Sequence, residues 1–178
     1  MNQQYFTDSE WAALLKAPQQ AITAVILADK TDLVSFLKEV QAAFQIMAAE
    51  IAREDISSDL VKSIVAALKE LAQQESLQGE QLILKQQFEF LGTVQTFSSA
   101  SEAVKQAIAH LDQVKAILKA KVPVTQAEEF KQWIMGIAVQ VAKVAKEEGG
   151  MFGIGGEKVS RQESNALSSI EHSLTVTL

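Results

Sequence analysis

The chain has 178 residues, of which 48% are hydrophobic and 21% are charged, the balance of a globular domain and not of a disordered chain. Its 22 acidic residues outnumber its 16 basic ones, and no run of Lys and Arg forms a stripe, so we expect no binding to nucleic acid or to an anionic membrane surface. The absence of Cys excludes disulfides, thiolate nucleophiles and zinc–thiolate sites.

The N-terminal residues and the apolar stretches both bear on location. Met1 to Tyr5 lack the basic start and apolar core of a signal peptide. The longest apolar stretches, residues 21–28 and 134–139, are far shorter than the roughly 20 residues that span a bilayer. The sequence therefore predicts a cytoplasmic protein with no membrane span.

Helix starts are marked by capping boxes, in which a Ser or Thr and a Glu three residues later satisfy free backbone N–H groups. Four such pairs precede apolar periodic segments: Thr7 with Glu10, Ser99 with Glu102, Thr125 with Glu128, and Ser160 with Glu163. The first pair also has Phe6 and Trp11 at the spacing of a hydrophobic staple.

In chain order, the first predicted helix covers residues 8–17. Pro18 suits the first turn of a second helix, where its missing N–H has no cost, and that helix ends near residues 29–30. The third begins after Thr31, and its apolar side chains recur at spacings of four and three. That stripe consists of Leu33, Leu37, Val40, Phe44, Met47 and Ile51. Ser57 or Ser58 begins the fourth helix.

The fifth predicted helix, over residues 80–97, differs from the others. Leu84, Phe88 and Leu91 form one apolar stripe, and Ile83, Phe90, Val94 and Phe97 form a second. A helix that is apolar over more than half of its circumference usually contacts several neighbours. We therefore predict that helix five is central.

The remaining segments complete an all-α fold. Pro123 ends a sixth helix, a seventh follows it, and a last short helix follows Ser160. No segment has the sustained two-residue alternation of a strand bounded by turn residues, so no sheet is predicted. Residues 174–178 alone have strand character, and a frayed tail is the favoured interpretation. The sequence predicts one domain, residues 1–178, that is a bundle of seven or eight helices.

Side chains suited to catalysis are few. Helical di-iron sites require Glu-x-x-His, but Ala107 and Ser169 stand three residues before His110 and His172, the two histidines of the chain. Two histidines also provide little material for a base that activates Ser or Thr. We predict a non-enzymatic protein, with no catalytic residues, no cofactor and no metal ligands.

Five of the eight glycines lie within residues 149–156. The favoured interpretation is a helix C-cap at Gly149 and a turn that packs Met151, Phe152 and Ile154 against the bundle. The alternative is a backbone nest that binds an anion. Its candidate contacts are Gly150, Gly153, Gly155, Gly156, Lys158, Ser160 and Arg161.

Trp133 and Gly136 lie one turn apart on the seventh predicted helix. Glycine inside a helix costs about 1 kcal/mol relative to alanine, so a compensating close approach is expected there. Core packing is the simpler explanation, and an apolar ligand resting at this point is the other. Gly92 on helix five has the same interpretation.

Two segments near the ends of the chain have a distinctive sequence. The first is the opening Glu10-Trp11-Ala12-Ala13-Leu14-Leu15-Lys16-Ala17-Pro18, and the second is residues 146–160, which contain Glu148-Gly149-Gly150-Met151-Phe152-Gly153-Ile154-Gly155-Gly156 and then Glu157-Lys158-Val159-Ser160. Both segments resemble the corresponding ends of a family of uncharacterised bacterial proteins. The resemblance covers a third of the chain and implies a bacterial origin and a helical fold.

Residues 156–163 are also similar to the acidic turn and helix of tellurite-resistance TerB-like domains. That resemblance implies metal binding through acidic side chains, here Glu157 and Glu163. The sequence departs from that pattern, because the position that is often Asp is Gly or Glu here.

Three functional hypotheses follow, in order. The first is a helical protein that acts through protein–protein contacts, as a homodimer, because apolar surface is abundant and catalytic groups are scarce. The second is a carrier of a small apolar or amphiphilic ligand held between helices near Trp133 and Gly136. The third is anion or metal binding at the glycine-rich turn.

Overall fold

The computed structural model describes residues 3–29, 32–149 and 160–176 of the chain. Over these residues it contains a short 3-10 helix at Gln3–Tyr5, seven α-helices and no strand. The helices are α1 (Asp8–Ile26), α2 (Leu33–Ala52), α3 (Asp59–Gln74), α4 (Glu80–Val94), α5 (Ala100–Lys121), α6 (Val124–Gly149) and α7 (Arg161–Leu174). The predicted all-α bundle of seven or eight helices is confirmed.

The start of α1 has the predicted capping box and staple. The Thr7 hydroxyl accepts the Glu10 N–H at 3.2 Å, and the Glu10 carboxylate accepts the Thr7 N–H at 2.7 Å. The rings of Phe6 and Trp11 stack with their centroids 5.7 Å apart. The Glu10 carboxylate also accepts a hydrogen bond from the ammonium group of Lys121 at 2.6 Å, and this contact joins the start of α1 to the end of α5.

The capping boxes at α7 and α5 differ in completeness. At α7, Ser160 and Glu163 form both hydrogen bonds, at 3.1 and 2.8 Å. At α5, the Ser99 hydroxyl accepts the Glu102 N–H at 3.1 Å. The Glu102 carboxylate, however, accepts the N–H of Ser98 at 2.9 Å, one residue before the predicted partner. Each arrangement still satisfies free N–H groups of a first turn.

The predicted capping box at Thr125 is wrong. The N–H of Ala127 donates to the Pro123 carbonyl at 2.9 Å, so the first helical turn already begins at Val124. Thr125 therefore lies inside the first turn and cannot serve as the cap. Pro123 ends α5 as predicted, and it also initiates α6.

Pro18 lies inside α1, so the predicted boundary between a first and a second helix is wrong. Proline has no N–H, and the Leu14 carbonyl loses its usual helical partner, at a cost of about 3 kcal/mol. Burial on both sides of the proline offsets that cost and keeps the helix continuous. The fully buried residues around it are Leu14, Ala17, Ala21 and Ile22.

The centre of the bundle is α1, which contacts α2, α3, α5, α6 and α7. It lies between α5 and α6, which contact each other only slightly. Large side chains from all three helices meet there, and each is at most 1% exposed. They include Ile22, Leu111, Leu118, Phe130 and Ile134.

The prediction that helix five is central is wrong. This helix is α4 in the structure, and its main neighbour is α2. Leu82 and Phe90 are its buried residues, whereas Leu84 is 53% exposed and Phe88 is 66% exposed. Its wide apolar surface is therefore divided between one side that faces the bundle and one side that faces solvent.

The apolar stripe of α2 is buried over only part of its length. Val40 and Phe44 are buried, but Leu33 is 70% exposed and Leu37 is 43% exposed. The side of the first two turns of α2 that carries Leu33 and Leu37 thus faces solvent, whereas Phe36 on the same turns packs against the core.

The C-terminal end of the described chain is packed. Leu174 is the last residue of α7 and is fully buried, and Val176 packs against the core. A frayed tail therefore does not begin at Leu174, because its side chain inserts into the bundle. Residues 177–178 lie outside the described residues.

Candidate functional site

A partly enclosed cleft of about 540 Å³ lies between α1, α2, α3 and α4. This volume falls within the range of small-molecule sites, about 300 to 1,000 Å³. Most of the surface that lines it is apolar. The lining residues are Leu15, Gln19, Ile22, Phe44, Met47, Ala48, Ile51, Leu68, Ala72, Gly79, Leu82, Ile83, Gln86, Glu89 and Thr93.

The cleft lies where α4 packs mainly on α2 and not closely on α1 or α3. Phe90 anchors the helix through an edge-to-face contact with Phe44, with ring centroids 5.7 Å apart. Leu82 anchors its first turn and is 8% exposed. Between these two anchors, α4 does not pack closely against α1 and α3, and the space between these helices is the cleft.

The face of α4 that lines the cleft changes from apolar to polar along the helix. Leu82, Gln86, Glu89 and Thr93 are spaced by four, three and four residues, so they form one stripe on the helix. Ile83 extends the apolar end of this stripe. A molecule lying along α4 would therefore meet carbon at one end and oxygen and nitrogen at the other.

The turn between α3 and α4 forms one wall of the cleft. The side-chain amide of Gln78 donates to the carbonyls of Ala72 and Glu75 at 3.2 and 2.9 Å and so caps the end of α3. Gly79, which precedes α4, has φ of 58° and ψ of −134°, a conformation essentially restricted to glycine. Glycine is therefore required where the chain turns back to form this wall.

Charge at the cleft is negative. Glu89 is the only ionisable residue among the described residues that line it. Lys85 lies on the same helix, with its ammonium group 2.5 Å from Glu75 and 3.6 Å from Glu89. The hydrogen bond to Glu75 is the main reason that the pKa of Lys85 is raised, and it keeps that cation engaged outside the cleft.

Trp133 and Gly136 do not line this cleft, so a ligand bound near those two residues stays a prediction. The Trp133 ring is buried against Phe130, and its Nε1–H donates to Glu50 at 3.1 Å. The Glu50 carboxylate also accepts a hydrogen bond from the guanidinium group of Arg53 at 2.9 Å. This polar contact fastens the end of α2 to α6.

Neither mid-helix glycine marks the close approach predicted for it. A Cβ built at Gly136 or at Gly92 would meet no atom within 4 Å, and both residues are exposed. The cost of glycine in these two helices is therefore not offset by a tight helix crossing within the described residues.

The glycine-rich turn is largely beyond what the structure describes. Gly150, Gly153, Gly155, Gly156 and Lys158 lie outside the described residues, as do Met151, Phe152, Ile154 and Glu157. Of the candidate contacts, Ser160 is occupied as the cap of α7, and Arg161 is exposed at the first position of that helix.

A buried carboxyl group that sequence reasoning missed lies on α2. Glu39 is 4% exposed, and its Oε1 has no hydrogen-bond partner among the described residues. Burial, followed by the nearby charges of Glu163, Asp29 and Asp32, raises the pKa of Glu39 to about 7. Its position beside Val40 on an amphipathic helix is the only sequence signal, and that signal also fits a surface residue.

These acidic groups do not form a metal centre in the part of the chain that is described. No group of three or more His, Cys, Asp or Glu side chains there is arranged to hold a metal ion. Nor is any described helix both long enough and apolar enough to cross a membrane.

No protein-family model, curated protein or solved structure matches the chain. The resemblances to a bacterial helical family and to TerB-like domains therefore stay predictions. The cleft, with its mainly apolar lining and its polar edge on α4, is a candidate binding site among the described residues.

Proposed function

We propose that the protein binds a small apolar or amphiphilic ligand in the cleft between α1, α2, α3 and α4. The observation that carries this proposal is a partly enclosed cleft of about 540 Å³ with a predominantly apolar lining. Burying apolar ligand surface contributes roughly 25 cal/mol per Å², so such a cleft favours ligands with a hydrocarbon body. A non-enzymatic role fits this activity, since binding requires no nucleophile or base.

Two alanines on α2 offer a matched pair of variants. Ala48 lines the cleft, whereas its neighbour Ala49 is exposed and does not. Ala48→Phe should place a ring inside the cleft and obstruct it, and Ala49→Phe should add the same ring to the surface. We expect the neutral apolar dye Nile red to bind the wild type and Ala49→Phe alike, and Ala48→Phe at least roughly tenfold more weakly.

The measurement is a fluorescence titration with each protein, after circular dichroism has established that all three fold. Equal Nile red affinity for the two Phe variants would place the dye elsewhere on the protein and contradict the proposal. Absence of saturable binding to the wild type would contradict it as well.

A second candidate function is association through the outer face of α4, as a homodimer. Leu84 and Phe88 lie one turn apart on this face and are both more than half exposed. Gly92 is one further turn along and would let the backbone of a partner helix come close. The oligomeric state of the protein in solution tests this candidate.

We also propose that the protein acts in the cytoplasm of a bacterial cell. The cysteine-free sequence supports a reducing compartment, and the resemblance at the two ends of the chain supports the bacterial origin. Anion or metal binding at the glycine-rich turn is retained as a third proposal, on the resemblance of residues 156–163 alone.

A further inference from the structure

The polar edge of the cleft is rich in hydrogen-bond acceptors. Glu89 is acceptor-only when ionised. The hydroxyl proton of Thr93 is already donated to the Glu89 backbone carbonyl at 2.9 Å, so the Thr93 oxygen offers only lone pairs to a ligand. Gln19 and Gln86 each contribute an amide, which can both donate and accept.

Positive charge is not available to a ligand in the described lining. No Lys, Arg or His is among the described residues that line the cleft. Lys85, the cation beside its polar edge, is held between Glu75 and Glu89. A carboxylate or phosphate head group there would compete with these two carboxylates for the ammonium group and would be repelled by both.

We propose that the cleft selects amphiphiles whose head group donates hydrogen bonds and is neutral or cationic, such as a long-chain alcohol or amine, and disfavours fatty acids and phosphate esters. The hydrocarbon chain would lie along Leu82, Ile83 and the apolar residues of α2. Its head group would lie near Gln86, Glu89 and Thr93. This inference rests on the proposed function and adds the class of ligand.

Three probes with the same twelve-carbon chain separate head group from hydrocarbon: dodecan-1-ol, dodecylammonium and dodecanoate. Each is titrated by calorimetry below the concentration at which it forms micelles or separates from water. We expect dodecanoate to bind roughly tenfold more weakly than dodecylammonium, because the acceptors and carboxylates near the head group repel it. Equal or tighter binding of dodecanoate would overturn the inference.

Two glutamate variants test whether the head-group selectivity comes from the cleft or from the net negative charge of the protein. Glu89→Gln should reduce the preference for dodecylammonium over dodecanoate by roughly 1.5-fold to fivefold, the range for an exposed charge. Glu70→Gln changes the net charge equally, but this exposed residue on α3 does not line the cleft, so the preference should remain. The same loss in both variants would overturn the inference.

Dodecan-1-ol distinguishes failure of this inference from failure of the proposed function. If it binds the wild type and not Ala48→Phe, the cleft is an apolar binding site, and the other two probes decide the head-group class. If it binds neither protein, or both equally, the proposed function fails and the inference fails with it.

Discussion

Glu39 is buried in an environment that disfavours its negative charge. Its carboxylate is removed from water, has no hydrogen-bond partner at Oε1 among the described residues and lies near other acidic groups, so it is destabilised relative to its neutral form. Its pKa of about 7 in the folded protein exceeds the ordinary value of 4.5. Protonation of this one residue is therefore coupled to folding near neutral pH.

The sign of that coupling follows from the direction of the pKa shift. Below pH 4.5 the group is protonated in both states, and it makes no pH-dependent difference to the free energy of unfolding. As the pH rises from 4.5 to 7, the unfolded chain releases the proton while the folded chain retains it, so stability falls. Above pH 7 the loss is complete and constant.

We expect Glu39→Gln to remove this loss. The unfolding free energy of the variant minus that of wild type should be about 2 kcal/mol larger at pH 8 than at pH 5. Urea denaturation at the two pH values measures the gain. The exposed Glu129→Gln is the control and should show no such pH-dependent gain. A Glu39→Gln effect that is equal at pH 5 and pH 8 would contradict this origin of the shift.

At the scale of elements, local sequence signals identify helices better than they identify their surroundings. The capping box of Thr7 with Glu10 and the staple of Phe6 with Trp11 depend on residues a few positions apart, and both form as predicted. The position of Pro18 within a helix could not be predicted from its sequence neighbours alone. Whether a proline begins a helix or lies within one depends on how deeply its flanks are buried, which is a tertiary property.

The position of α4 shows the same limit. Its sequence is apolar on more than one side, which is typical of a central helix, but Leu84 and Phe88 are exposed. Periodicity tells which side chains share a face of a helix, and it does not tell how many neighbouring helices cover that face. The cleft depends on this unpredicted position, so it could not be inferred from the sequence.

Because α4 buries few side chains and packs mainly on α2, we predict that it opens without global unfolding. Its amides should then exchange through a local opening, with lower protection than those of the central α1. Native-state hydrogen exchange, read helix by helix, measures this difference. Equal protection in α1 and α4 would show that the bundle opens as one unit.

Two exposed glycines provide a matched pair for this test. Alanine at Gly92 or Gly136 would meet no atom within 4 Å and should stabilise its helix by about 0.5 to 1 kcal/mol. If α4 opens locally, Gly92→Ala slows exchange in α4, whereas Gly136→Ala in α6 leaves α4 unchanged and slows exchange in the core. A fully cooperative bundle would instead respond in α4 to both variants.

At the scale of the whole molecule, the two sides of α4 support the two candidate functions. The inner side lines the cleft, and the outer side exposes Leu84 and Phe88. Stable protein–protein interfaces cover about 800 Å² on each partner, so these two side chains would form the apolar centre of a larger contact. In a two-fold dimer, each α4 would pack on its symmetry mate, with the backbone at Gly92 allowing close approach.

For this dimer, light scattering coupled to size exclusion should give twice the 19.4 kDa mass of one chain at high micromolar concentration. The double variant Leu84→Ser/Phe88→Ser should be monomeric, because it removes the apolar centre of the contact. Val124→Ser is the control, since Val124 is 42% exposed on α6, and it should remain dimeric. A monomeric wild type, or dissociation of both variants alike, would contradict association through α4. Since the cleft lies on the opposite side of this helix, Nile red should still bind the monomeric double variant, which separates the two activities in one protein.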